Sequence, residues 1–159
     1  PEYVKTNSEK KQILAGKVTP LALADSLETD SKFVLDVLKQ LRGGASKALA
    51  CELDDIETWA HLSSYFAHKL RAGVALQTFR ISKDVTQQQK AVAFLTRALE
   101  EWRKVAQITS GHYKEVPYID DHSTGGSAYK DALLFSWSKY LPQVERDIIL
   151  AKAAKTDRQ

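Results

Sequence analysis

The chain has 159 residues, of which 43% are hydrophobic and 27% charged, a composition typical of one globular domain. Its 23 basic side chains are interleaved with 20 acidic ones, and the resulting net charge of +3 argues against the strongly basic surface of a nucleic-acid-binding protein. No run approaches the ~20 consecutive apolar residues of a membrane span, and no signal peptide pattern is present.

The first predicted elements form a helical pair over residues 18–42. The Thr-Pro dipeptide at 19–20 is typical of a helix start, because proline in the first turn loses no hydrogen bond. Asp30 or Ser31 is expected to cap a second helix. The glycine pair at 43–44 predicts its end, since glycine accepts the left-handed conformation that follows many helices.

Residues 46–81 carry the longest helical pattern, in which apolar and small residues recur at spacings of four and three. We predict that this stripe faces the core, and that Cys51 beside it is a small buried hydrophobic residue. The stripe consists of Leu49, Leu53, Ile56, Ala60, Ser63, Ala67, Leu70 and Val74, widened by Trp59, Leu62 and Phe66.

Two further helices are predicted over residues 86–110 and 142–155. The short link ISKDV before the first of them favours an antiparallel arrangement with the long helix. Their inward stripes are Ala91, Leu95, Ala98, Trp102 and Val105, and then Val144, Ile148 and Ala151. The predicted fold is all-α, with about five helices in a single domain over 1–159, a helical bundle built on a long antiparallel helix hairpin.

Residues 111–130 form a predicted loop that is rich in aromatic, histidine and aspartate side chains. Sugar rings stack on aromatic faces, and their hydroxyls bond to carboxylates and imidazoles. The candidate ligand-binding residues are His112, Tyr113, Tyr118, Asp120, Asp121 and His122. The alternative is that the aromatics only pin the connector onto a helix pair, with Trp137 in the core. Pro117 argues against a central strand in this region.

Metal and catalytic chemistry are not predicted. The histidines and aspartates of the loop match no zinc spacing and have no cysteine partner, so capping turns are favoured over a metal site. Glu57 and His61 are predicted to form an exposed pair on one helix. No nucleophile motif or phosphate-binding loop occurs. The sequence therefore assigns no catalytic residue, metal or cofactor, and leaves open whether the whole protein is an enzyme.

An acidic cluster stands near the start of the long helix. Glu52, Asp54, Asp55 and Glu57 are predicted either to form a solvated face or to pair with Lys69 and Arg71 of a neighbouring element.

Three stretches carry a resemblance to a known class of proteins. They are LDDIETWAHLSSYFAHKLRAGVAL, AVAFLTRALEEWRKVAQITSGHY and FSWSKYLPQVERDI, in that order. Together they resemble the C-terminal helical domain of large secreted glycan-degrading proteins, of glycoside hydrolase type, from Bacteroidetes-like bacteria. The resemblance covers about residues 18–150. It implies an accessory domain behind a catalytic barrel in a periplasmic or extracellular enzyme, with the catalytic carboxylates on the barrel.

Two functions are therefore predicted. In the first, the chain is a fragment of a larger protein, as its start at Pro1 and its lack of methionine indicate. It would pack on other domains of the same polypeptide, support a homodimer, or line an oligosaccharide cleft. In the second, it is a stand-alone cytoplasmic module for protein–protein interaction, which an exposed apolar stripe on residues 46–81 would favour. Neither function involves nucleic acid.

Overall fold

The computed structural model describes residues 2–8, 16–118 and 133–155. The described residues form α1 (Glu2–Ser8), α2 (Pro20–Leu41), α3 (Lys47–Ser82), α4 (Val85–His112) and α5 (Leu141–Lys152). Two short strands, β1 (Val116–Tyr118) and β2 (Leu133–Phe135), and two 3-10 turns, Arg42–Gly44 and Trp137–Tyr140, complete the described structure. The predicted all-α bundle on a long helix hairpin is confirmed. No described helix has the length and apolar character needed to cross a bilayer.

The hairpin of α3 and α4 is closed by a two-residue turn. The Ser46 hydroxyl caps the start of α3 by accepting from the Leu49 N–H at 3.3 Å. Lys83 ends α3 in a left-handed conformation with φ 63°. The Asp84 carboxylate then accepts from the Thr86 N–H at 2.9 Å and caps α4. The predicted short link is thus confirmed.

The predicted helical pair over 18–42 is wrong, because α2 is one continuous helix. Thr19 caps it as predicted, accepting from the Ala22 N–H at 3.1 Å. Ser31 does not start a second helix. Its side chain is buried and shares a hydrogen bond of 2.8 Å with the Ser64 hydroxyl of α3, so tertiary contact uses the group that the sequence reading assigned to a cap. The chain also forms α1, for which no prediction was made.

The core lies where α3 packs on α2 and α4, and α5 covers α4. One buried cluster joins Tyr65, Ala98, Leu99 and Val144, with Trp102, Leu141 and Ile148 packed against it. A second cluster joins Ala72, Leu95 and Ala151. Gln88 ties the end of α5 to α4 by donating its amide N–H to the Ala151 carbonyl at 2.9 Å.

The predicted inward stripe of α3 is only partly correct. Leu53, Ala60, Leu62 and Ala67 are buried as expected. Leu49, Ile56, Trp59 and Phe66 are exposed instead, with Trp59 at 68% and Phe66 at 54%. The apolar pattern was broad enough for two faces, and the packing of α2 and α4 covers one of them.

His68 is a buried histidine whose Nδ1 has no hydrogen-bond partner among the described residues. Its ring stacks on Phe94 with the centroids 6.4 Å apart. Burial lowers the pKa of His68, against the opposing charges of Glu28 and Glu101. Between that lowered value and the ordinary pKa near 6.5, the unfolded chain binds more protons than the folded one. Stability should therefore fall as the pH drops below about 6.5.

Replacing His68 with leucine is expected to raise the free energy of unfolding by about 1 kcal/mol at pH 7, because the buried unpaired nitrogen is removed. The gain should be larger at pH 5. Urea denaturation at both pH values measures it. The matched control is His61→Leu, which leaves the Glu101 carboxylate without its histidine and should destabilise the fold. Equal losses of stability in both variants would contradict the role given to His68.

Candidate ligand-binding cleft

A cleft of about 470 Å³ opens between the last turns of α4 and the segment that follows β2. The wall from α4 and its end consists of Ala106, Thr109, Ser110, Tyr113, Lys114 and Glu115. Phe135, Ser136, Trp137 and Ser138 form the opposite wall. The pairing of β1 with β2 places these walls side by side, because Val116 lies opposite Phe135 in an antiparallel register.

The wall that contains Phe135 and Trp137, called the aromatic wall below, is held against α4 by Trp102. The Trp102 indole N–H donates to the Trp137 carbonyl at 2.9 Å, and the two rings meet edge-on with centroids 5.4 Å apart. Phe135 packs against Trp137 in the same manner at 5.3 Å. The prediction that Trp137 lies in the core is corrected, since its side chain is half-buried and lines the cleft.

Tyr113 stands at the mouth of the cleft, directly after α4, and is 51% exposed. Its hydroxyl donates to the Asp55 carboxylate of α3. This hydrogen bond raises the pKa of Tyr113 to about 12, so the phenol keeps its proton well into the alkaline range. The bond to Asp55 also holds the Tyr113 side chain against α3.

Polar groups surround the aromatic wall. Ser136 and Ser138 lie with their hydroxyl oxygens 3.1 Å apart. Lys139 pairs with Glu115 at 2.9 Å, which holds the segment after β2 against the residues that follow α4. Lys114 forms no ion pair with any described residue, so its ammonium group is available to a ligand. Aromatic rings with nearby donors and acceptors suit an uncharged polyhydroxylated ligand.

The structure describes the side chains of two of the predicted ligand-binding residues, and one of the two lines the cleft. Tyr113 lines the cleft, but His112 turns away from it, with Nε2 at 2.5 Å from a carboxylate oxygen of Asp54. Burial raises the pKa of Asp54, but hydrogen bonds and charges from Arg42 and His112 outweigh this and hold it below its usual value. The remaining predicted residues are Tyr118, whose side chain is not described, and Asp120, Asp121 and His122, which lie outside the described residues.

Of the ten cleft residues, the sequence analysis predicted only Tyr113 as a ligand contact, and those that it missed include Lys114, Phe135, Ser136 and Ser138. They belong to two segments that are distant in sequence and meet only through strand pairing. Pro117 predicted that this region forms no central strand, and this is confirmed. Its strand β1 belongs to a two-stranded sheet, in which Pro117 lies opposite Leu134.

A second cluster of polar side chains lies where α3 packs against α4. The predicted pair of Glu57 and His61 forms, with His61 Nε2 at 3.7 Å from the Glu57 carboxylate, but it is not exposed. His61 is buried, and its Nδ1 lies 2.6 Å from the Glu101 carboxylate of α4. The other carboxylate oxygen of Glu57 pairs with Arg42. These groups join α3 to α4 and to the turn after α2, so their role is structural.

The acidic cluster of α3 does not pair with the predicted partners. Lys69 binds Asp147 of α5, and Arg71 binds Asp25 and Glu28 of α2. Within the described ranges, no group of three or more histidine, cysteine, aspartate or glutamate side chains is arranged to hold a metal ion.

No protein-family model matches this chain, and no curated protein or solved structure is significantly similar to it.

Proposed function

We propose that the chain is an accessory helical domain of a carbohydrate-active protein and that its cleft binds a saccharide. The observation that supports this most directly is the grouping of Tyr113, Phe135 and Trp137 around one opening. Saccharide rings carry apolar C–H faces that pack on aromatic side chains. Their hydroxyls require donors and acceptors nearby, which Lys114 and the serines after β2 supply.

Binding would combine two contributions. The exposed ring of Tyr113 and the half-buried ring of Trp137 would cover the faces of a sugar unit, and the ordered aromatic wall would lose little conformational entropy on binding. Lys114 and the serine hydroxyls would then fix the orientation of the ring. The cleft volume of about 470 Å³ lies in the range of pockets that hold small molecules.

The sequence resemblance supports the wider setting of the proposal. In a secreted glycan-degrading protein, periplasmic or extracellular, this domain would hold part of a polysaccharide while a separate catalytic domain performs the hydrolysis. The domain itself then needs no catalytic residue, metal or cofactor.

Titration with a panel of oligosaccharides from plant and host polysaccharides, followed by tryptophan fluorescence and calorimetry, tests the proposal. Binding of at least one of them is expected, with a fluorescence change from Trp137. Tyr113→Ala should weaken binding about tenfold, or about 1.4 kcal/mol, because one stacking surface is lost. Tyr113→Phe keeps the ring and should retain most of the affinity.

The matched control is Phe33→Ala, which removes an exposed aromatic ring on α2, away from the cleft. It should bind like the unmodified chain. Absence of binding across the panel, or binding that Tyr113→Ala leaves unchanged, would contradict a saccharide site in this cleft.

A further inference from the structure

The surface of α3 that points away from its helical neighbours carries four large apolar side chains, Ile56, Trp59, Phe66 and Leu70. Between residues 50 and 80, the exposed positions of this helix are Glu52, Ile56, Trp59, Phe66 and Gly73. Half-buried Ser63, Leu70 and Gln77 continue the same line. The spacing alternates between three and four residues, as along the contact line of two packed helices. These eight residues are called the outer face of α3 below.

The outer face is complementary to itself when two copies run antiparallel. In that orientation Phe66 meets the partner's Ser63, and Ile56 meets the partner's Gly73. Each bulky side chain is then opposite a small one, which allows the knobs of one helix to enter the holes of the other. Trp59 meets the partner's Leu70. A parallel arrangement would instead place each Trp59 against its own copy and leave the small residues facing each other.

Charge favours the same orientation. The N-terminal half of α3 carries Glu52 on the outer face, and the C-terminal half carries Arg80 one helical turn beyond Gln77. Glu52 and Arg80 form no ion pair with any described residue. In the antiparallel register Glu52 lies opposite the partner's Gln77 and within one helical turn of the partner's Arg80. A parallel pair would bring the two Glu52 carboxylates together, which is repulsive.

The size of the outer face fits a weak homodimer. The line from Glu52 to Gln77 is roughly 38 Å long at 1.5 Å per residue, and a helix face is about 10 Å wide. The two copies would therefore bury about 750 Å² together, which is below the size of stable specific interfaces and fits a weak, transient dimer. Such a dimer should dissociate on dilution through the micromolar range.

We propose that the outer face of α3 is a homodimer interface, in which two copies pack α3 against α3 in antiparallel orientation. Dimerisation through this surface is independent of the aromatic cleft, because no residue of the outer face lines that cleft.

Sedimentation equilibrium between about 1 and 300 μM tests the proposal. The average mass is expected to rise from 17.8 kDa toward twice that value as concentration increases. Trp59→Arg places a charge in the centre of the interface and should keep the chain monomeric throughout. The matched control is Phe33→Arg, which changes another exposed aromatic residue on the side of α2 away from its buried stripe and should dimerise normally. Circular dichroism confirms that both variants are folded.

A charge-swap cycle tests the orientation. Glu52→Arg and Arg80→Glu should each raise the dissociation constant at least threefold, and the double variant should restore the original value. A chain that is monomeric at every concentration, or a dimer that Trp59→Arg leaves intact, would overturn the interface. A dimer that Trp59→Arg disrupts but that the double charge swap fails to restore would overturn the antiparallel register.

Discussion

Replacing Trp102 with alanine is expected to lower the free energy of unfolding by about 3 kcal/mol, one of the largest effects of any single substitution in this chain. Trp102 packs against Tyr65 of α3 with ring centroids 4.8 Å apart and also contacts Trp137. Its indole N–H holds the Trp137 carbonyl. The substitution therefore leaves a cavity beside the first core cluster and releases the segment that forms one wall of the cleft.

Urea denaturation at about 1 μM protein, where the chain should be monomeric, measures the loss. The matched control is Trp59→Ala, because Trp59 is 68% exposed on α3 and should change the free energy of unfolding by less than about 0.5 kcal/mol. Trp102→Ala should also weaken saccharide binding, whereas Trp59→Ala should not. Equal stability losses in the two variants would contradict the position given to Trp102 in the core.

Replacing Glu101 with leucine is expected to lower the free energy of unfolding by about 2 kcal/mol at pH 7, since the buried His61 then has no partner at Nδ1. Burial raises the pKa of Glu101, but hydrogen bonds from His61 and Lys104 outweigh it and bring the pKa below its ordinary value. The carboxylate therefore contributes stability above the unfolded pKa near 4.3, and this contribution is lost as the pH falls through the folded pKa.

The difference between Glu101→Leu and the unmodified chain should thus be full at pH 7 and should close below about pH 4. Chemical denaturation at pH values from 3 to 8 measures it. Glu100→Leu is the matched control, because Glu100 is exposed on the same helix and its loss should alter neither the stability nor the pH profile appreciably. A difference that stays constant down to pH 3 would show that the ionised carboxylate of Glu101 is not the stabilising group.

The sequence predicted the helices well because their signals are local. Thr19 caps α2 as predicted, and Ser46 and Asp84 likewise cap helix starts through contacts within three residues. Ser31 failed as a predicted cap because its hydroxyl found a partner 33 residues away. Propensity at a single residue does not include such tertiary contacts.

The cleft was predicted only in part, because it too depends on contacts between residues that are distant in sequence. The many aromatic residues after α4 predicted Tyr113 as a ligand contact, whereas no pattern in the sequence predicted that Phe135 and Ser138 line the same cleft. They join the site because β2 returns antiparallel to β1 and brings them beside α4. His112 had the right chemistry for a ligand contact, but the nearby Asp54 carboxylate binds it.

The amino-acid sequence by itself determined the approximate bounds of α3 and α4, the Thr19 cap and the antiparallel hairpin, because hydrophobic period, capping and short links are read within a few turns of chain. Only the tertiary structure decided which apolar face of α3 is buried. The stripe of α3 is apolar on more than one side, so its burial depends on where α2 and α4 pack. That choice placed His61 beside Glu101 in the interior and left Trp59 and Phe66 on the surface.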